Sequence, residues 1–245
     1  MKRILLGVPV HQDADIFKAY LASLDRLVVP DGYKLDRMFY LHNCDELAAF
    51  VAPTDRVKYN HDKTKYDTAG PTHSWTADNL SQVGKMKNEM MKFCVDQGYD
   101  YYFLVDSDLI LHPQTLKVLL SRDKDIISEI FWTEWMENSG DLGPNCWDRD
   151  MSDFENKERY RIPGVHQTGG TGALMLVKSS VLKKVNYTPV SCVSFSIWED
   201  RAFAIRAEVH GHKIYIDTTL PARHLYRRSD YEKYIKKVGS RENKG

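Results

Sequence analysis

Five consecutive apolar residues, Tyr101-Tyr102-Phe103-Leu104-Val105, run directly into Asp106-Ser107-Asp108. A continuous apolar run of this length reads as a strand covered on both faces, as in parallel sheets flanked by helices. Two carboxylates one residue apart are expensive to bury unpaired. Placed where the strand ends, they fall on the carboxyl edge of the sheet, where open α/β sheets bind ligands.

The rest of the chain repeats this logic. Apolar runs predict further strands over residues 4–8, 38–41, 126–131, 171–177 and 213–217. Between them, apolar residues recur at helical spacing. Asp13 reads as a cap before Ile16, Phe17, Tyr20, Leu21 and Leu24, and Asp78 as a cap before Val83, Met86, Met90 and Cys94. Pro113 suits the first residue of a helix, Ser179 caps a short one, and Glu199-Asp200 opens another that ends at Gly211. Residues 53–77 read mostly as loop with one short strand, and 133–161 as a long acidic, aromatic loop. The alternation predicts an α/β fold with a mostly parallel central sheet and a small antiparallel portion in the second half. One domain is expected over residues 1–226, followed by a basic tail, 227–245, helical near its middle.

Charge narrows the function. Lys plus Arg and Asp plus Glu each number 34 in the 245 residues, so the net charge is zero. A dedicated nucleic-acid binder usually carries a basic excess, so no nucleic-acid partner is expected. The four cysteines form no Cys-x-x-Cys pair, which argues against structural zinc. No apolar run is long enough for a membrane span or a signal sequence, and the cytoplasm is the expected compartment. Oligomeric state is left open.

Four constellations carry chemistry. Asp106 and Asp108 offer hard oxygen ligands suited to Mg²⁺ or Mn²⁺, an ion commonly shared with substrate phosphates. Their ordinary reading is a solvated turn. Glu199 and Asp200, after Trp198, either complement a helix dipole or supply a general base. His224 either joins the two aspartates on an ion or is a surface histidine. The glycines of Gly169-Gly170-Thr171-Gly172-Ala173 either form a plain loop or let a substrate approach the backbone. Each is weak alone; their order and spacing are specific.

A buried strand with Asp-x-Asp, then a Gly-rich strand entry, then Trp-Glu-Asp, then a strand followed by histidine resembles the family 2 type of GT-A nucleotide-sugar glycosyltransferases. The resemblance covers roughly residues 3–226. It implies that Asp106, Asp108 and His224 hold Mn²⁺ or Mg²⁺ on the donor diphosphate, and that Asp200 is the base of an inverting transfer. It implies a UDP-sugar donor, with Pro9, Val10, Asp45, Lys85, Asn88 and Ser107 around it. Trp132, Gly170, Thr171, Trp198 and Glu199 are expected on the side of a hydroxyl-bearing acceptor. One departure is His42-Asn43-Cys44-Asp45, where members carry an acidic turn that contacts the base. The Gln-x-x-Arg-Trp motif of processive members is missing.

Three alternatives are weighed. A haloacid-dehalogenase-like phosphatase also has Asp-x-Asp after a strand, but on its first strand and with Thr or Val where this chain has Ile110. A retaining transferase shares the scaffold and the Asp-x-Asp. A non-catalytic sugar- or nucleotide-binding module is disfavoured by the presence of Asp106, Asp108, Asp200 and His224.

Overall fold

The first strand, β1 (Lys2–Val10), shows how the core is built. Ile4, Leu6, Val8 and Val10 face one apolar layer, while Leu5 faces the other. The same alternation divides β4 (Tyr101–Val105): Tyr101, Phe103 and Val105 on one side, Tyr102 and Leu104 on the other. A run without polar positions thus reflects a strand buried twice over. The computed structural model describes residues 1–66, 76–148, 156–187 and 198–242.

The sheet is completed by β2 (Tyr33–His42), β3 (Arg56–Asn60), β5 (Leu109–Ile110), β6 (Ile126–Glu134), β11 (Leu174–Lys178) and β12 (Ile214–His224), in the order β3-β2-β1-β4-β11-β6-β12-β5. The pairs β1–β2, β2–β3, β1–β4 and β6–β12 are parallel. Strand β11 runs antiparallel to both β4 and β6. The mostly parallel sheet with antiparallel strands in its second half is as expected. Strands β7 (Leu142–Pro144) and β9 (Val165–Thr168) extend the sheet by pairing with β6 and β12, while β8 (Cys146–Trp147) and β10 (Gly170–Thr171) pair as a separate two-stranded flap. Part of the expected acidic loop is therefore β-structure. Chain order reverses direction between β1 and β4, and such a switch point opens a crevice at the carboxyl edge.

Helices α1 (Ala14–Asp25) and α3 (Thr115–Ser121) cover one face. Helices α2 (Ala77–Asp96), α4 (Ser179–Leu182) and α5 (Glu199–Val209) cover the other. Asp13 caps α1 through its side chain, as its position implies. Helix α2 is capped by Thr76 instead of Asp78, since the Thr76 hydroxyl accepts the Asn79 N–H at 3.2 Å and leaves Asp78 in the first turn. Ser179 lies inside α4, not at its cap, and Gln114, rather than Pro113, precedes α3. The basic tail forms α6 (Arg228–Glu242), whose Tyr231 and Tyr234 pack against Ile16, Ile110 and Leu225. Arg228 bonds Asp13 and Asp15 at 3.0 and 2.9 Å. Among the described residues, no helix is long and apolar enough to cross a membrane.

Candidate active site

Asp106 follows β4 at the switch point. Its N–H donates to the Ala173 carbonyl at 2.7 Å, tying the strand end to the glycine-rich segment. Ser107 is buried beside it. Asp108 faces β12: its carboxylate lies 3.3 Å from His224 Nε2, and its carbonyl accepts the Leu225 N–H at 2.8 Å. The strand expected to stop at 217 runs on to His224, so this histidine is part of the sheet. Its Nδ1 is 2.8 Å from the Thr133 hydroxyl, which leaves Nε2 directed at Asp108. The rings of Phe131 and Tyr226 pack on it at 4.8 and 5.2 Å.

Opposite stands the start of α5. Glu199 is buried, and Asp200 keeps 23% of its side chain exposed. Between them and β4 lies Lys87, itself buried, whose ammonium donates to Glu199 at 3.0 Å and to Asp200 at 3.2 Å. The ring of Tyr187 lies 4.9 Å beneath that ammonium. Burial alone would push Lys87 down, but Asp200 and Glu199 hold it well above the usual lysine range. The carboxylates shift the other way. Loss of water pushes Asp106 up to about 8; Lys87 opposes this, and Asp108, Asp200 and Glu199 add to it. Burial, and then Glu199, push Asp200 up to about 6 against Lys87. Burial and a like-charged neighbour outweigh the pull of the helix N-terminus at Asp200.

The glycine-rich segment is the wall between these groups. A Cβ on Gly172 would stand 2.0 Å from Asp200 Oδ2, so only glycine lets the carboxylate lie against this backbone. At Ala173 φ is +65°, and the Leu174 N–H donates back to Gly172 at 2.7 Å. This γ-turn is a strained conformation held between the Asp106 backbone N–H and the Asp200 side chain. Gly170 lies under the Trp147 ring, where a Cβ would come within 2.6 Å. Thr171 is buried and bonded to Asn145 and Ser128.

The other expected contact residues are placed as follows. Lys85 is exposed, two residues from the buried Lys87 and therefore on the other side of α2. Asn88 spends its side-chain amide on the Tyr187 backbone. Glu199 is enclosed and paired with Lys87, which removes it from an acceptor surface. Trp132 lies on the face of β6 opposite Thr133, packed with Ile130, Tyr160 and Ile216, with the Arg161 guanidinium 4.2 Å over its ring. Trp198, the residue before α5, is half exposed.

At the end of β1, Pro9 is partly exposed and the Val10 side chain is fully buried, so Val10 offers only backbone. Asp45 is exposed and bonded to His61 at 2.8 Å. The departure from the acidic turn has a counterpart here. His42 is fully buried, bonded to Tyr66 at 2.6 Å and Asp62 at 3.0 Å, and Tyr66 stacks on His11 at 4.2 Å. Burial would raise Asp62, yet hydrogen bonds from His42 and Thr64 hold it well below the usual range.

Lys87, Gly172, Thr133 and this His42 group are the residues that sequence reasoning missed. For Lys87 a signal existed. It falls on the stripe Leu80, Val83, Met90, Met91 and Cys94, and a lysine inside an apolar stripe must meet a carboxylate.

Residues 3–218 match the glycosyltransferase family 25, N-terminal domain. Human procollagen-lysine,2-oxoglutarate 5-dioxygenase 2 is 26% identical over 185 residues, covering 74% of this chain and 24% of that protein. Mouse inactive glycosyltransferase 25 family member 3 is 29% identical over 185 residues, covering 67% of this chain and 31% of that protein. The chain thus spans no more than a third of these relatives' length. Among solved structures, GalNAc-T7 with UDP, GalNAc and Mn²⁺ is similar at TM-score 0.57 and 11% identity, over 93% of this chain and 44% of that one. Residues 1–349 of S. aureus TarS in complex with UDP-GlcNAc give TM-score 0.55 and 13% identity, over 94% and 61%. Both likenesses are of fold, and the fold is that of GT-A glycosyltransferases. Within that class the family matched is 25, where the motif order resembles family 2: the chain belongs to glycosyltransferase family 25.

Proposed function

We propose that the chain transfers a sugar from a UDP-sugar to an acceptor hydroxyl, with inversion and with Asp200 as the base. The observation that carries this reading is the gathering of Asp106, Glu199 and Asp200 around Lys87, whose ammonium bonds Glu199 and Asp200, with Asp108 adding to the acidic field at Asp106. Asp106, Asp108 and His224 would hold Mn²⁺ or Mg²⁺. Among the described residues no three such side chains already form a closed ligand set. Their chemistry nonetheless fits a dication: burial pushes Asp106 up to about 8 and the neighbouring carboxylates add to this, a cost that a divalent charge would offset. When bound, such an ion stabilises charge on a departing diphosphate.

The chain's own residues supply the rest. Asp200, displaced upward to about 6, is largely ionised at neutral pH yet basic enough to take a proton. Lys87 fixes one of its oxygens, and the Gly172 backbone confines the other. Thr133 orients the His224 ring. That some relatives are called inactive makes the test one of turnover as well as binding. Asp200→Asn keeps shape and removes the proton acceptor. In a panel of UDP-sugars and glycan acceptors it should bind UDP with Mn²⁺ as the parent does and lose about 10²–10⁴-fold in transfer. An unchanged rate, or a product that retains the donor's configuration, refutes Asp200 as an inverting base.

A further inference from the structure

The sheet edge that carries Asp108 and His224 continues outward through an aromatic ring to a bare indole. His224 lies 5.2 Å from the Tyr226 ring, and that ring meets Trp135 edge-on at 5.5 Å. Trp135 directly follows β6 and is 44% exposed, and its neighbour Met136 is 57% exposed. The segment is fastened. The Arg227 guanidinium donates to the carbonyls of Glu134 and Trp135 at 2.8 and 2.5 Å and lies 4.7 Å over the Tyr226 ring. The Ser229 hydroxyl donates to Glu137 at 2.7 Å, and the Gly140 N–H to Glu134 at 2.7 Å. Two turns of chain, one after β6 and one after β12, are thus pinned together so that nearly half of a large apolar side chain stays in solvent.

We propose that Trp135, backed by Tyr226, is a stacking platform for a pyranose ring of the sugar substrate. A pyranose has an apolar C–H face and hydroxyls around its rim. A flat indole with a negative face receives the first, and water or nearby polar groups take the second. The occupant is a sugar and not a protein because one indole and one thioether side chain fall far short of a stable protein interface. The platform is also continuous with the carboxylate–histidine edge at which transfer is proposed. Rigidity matters here: an indole already held by Tyr226 and Arg227 loses little freedom on binding. This inference rests on the sugar-transfer reading above.

The test separates the two. Methyl β-D-galactopyranoside and methyl β-D-glucopyranoside are titrated against the whole chain by saturation-transfer NMR, and UDP with Mn²⁺ by calorimetry. At least one pyranoside should bind the parent protein. Trp135→Ala should weaken it about tenfold and Trp135→Phe by only about two- to threefold, as expected for loss or shrinkage of a stacking ring. UDP affinity should stay within about twofold in both variants. No pyranoside binding, or equal binding in Trp135→Ala, overturns the platform. So does a Trp135→Ala protein that loses UDP as well, because the indole is then a support for the fold. Trp135-dependent pyranoside binding in a chain that ignores UDP upholds the platform and overturns the UDP-sugar reading.

Discussion

Replacing Glu129 by Gln should stabilise this protein, and increasingly so as pH rises. Glu129 on β6 and Asp217 on β12 are register partners, and both are fully buried. Asp217 is well supplied: Arg122 donates at 2.6 Å, and the Thr219 N–H and hydroxyl at 2.8 and 2.5 Å. Glu129 accepts the Leu220 N–H at a long 3.3 Å, and its Oε2 is among the buried oxygens without a hydrogen-bond partner. Burial and then Asp217 push it from an ordinary 4.5 up to about 8, against the Leu220 and Ile130 N–H groups and Arg122. The folded chain therefore keeps this proton to about pH 8, while the unfolded chain releases it above about 4.5. Between those values the native state binds more protons, so stability falls as pH rises, by about 1.4 kcal/mol per unit. A glutamine cannot ionise and has no such slope. Its advantage over the parent should grow by about 2–3 kcal/mol between pH 5 and pH 7 and level off above about 8. Carboxylates held low, such as Asp36 and Asp62, act in the opposite sense but equally in both proteins, so they cancel in the difference. Urea unfolding followed by fluorescence at the two pH values measures it. A difference that is the same at pH 5 and pH 7 would refute the assignment of a buried, proton-holding Glu129.

Three further outcomes are expected. Lys87→Met leaves Glu199 and Asp200 facing each other without their cation. It should cost about 3–5 kcal/mol in stability and, by raising Asp200 beyond about 6, move the acid limb of a transfer pH–rate profile to higher pH; an unmoved limb would show that Lys87 does not set the base. Gly172→Ala places a Cβ 2.0 Å from Asp200 Oδ2, so transfer should fall at least about tenfold while UDP binding persists; full activity would mean that Asp200 works from another position. Asp108→Asn should weaken UDP binding in the presence of Mn²⁺ by more than about tenfold, yet leave metal-free UDP binding unchanged; equal Mn²⁺ dependence in both proteins would remove Asp108 from the cation's ligands.

The scaffold was readable because burial on both faces leaves a plain mark. Runs such as Tyr101 to Val105 have no polar alternation, and a motif at the end of one can only lie on the sheet edge. The positions of the carboxylates were readable in the same way: Asp106 and Asp108 follow an apolar run, and Asp200 opens a helix. Less legible was the assignment of faces within polar stretches. Lys85 and Lys87 differ only in which side of α2 they occupy, and the apolar stripe through Val83 and Met90 decides it in favour of Lys87. Trp132 and Trp135 differ likewise. Thr133 points at His224, so Trp132 points away from it, and Trp135 lies past the end of the strand. Strand parity alone would have moved Trp132 into the flap. The γ-turn at Ala173 had no signal, since alanine rarely adopts a positive φ and only the surrounding fold enforces it.

The same faces explain why the acidic cluster is tolerable. Each carboxylate of the site is held by a different rigid element: Asp106 and Asp108 by the end of β4 and the turn after it, Glu199 and Asp200 by the first turn of α5. Lys87 comes from the buried face of α2, a third element, so one ammonium ties helix to helix across the crevice. Were these acids on one flexible loop, they would separate into water and return to ordinary carboxylates. Packed on the two clusters either side of the sheet, they cannot move apart or regain water, and burial first, with their mutual repulsion added, displaces Asp106 and Asp200 upward. Repulsion that the fold cannot relax is relieved by a bound cation or by an acquired proton. The proposed transfer, in which the site would hold a positive ion and accept a proton from a hydroxyl, would use both tendencies.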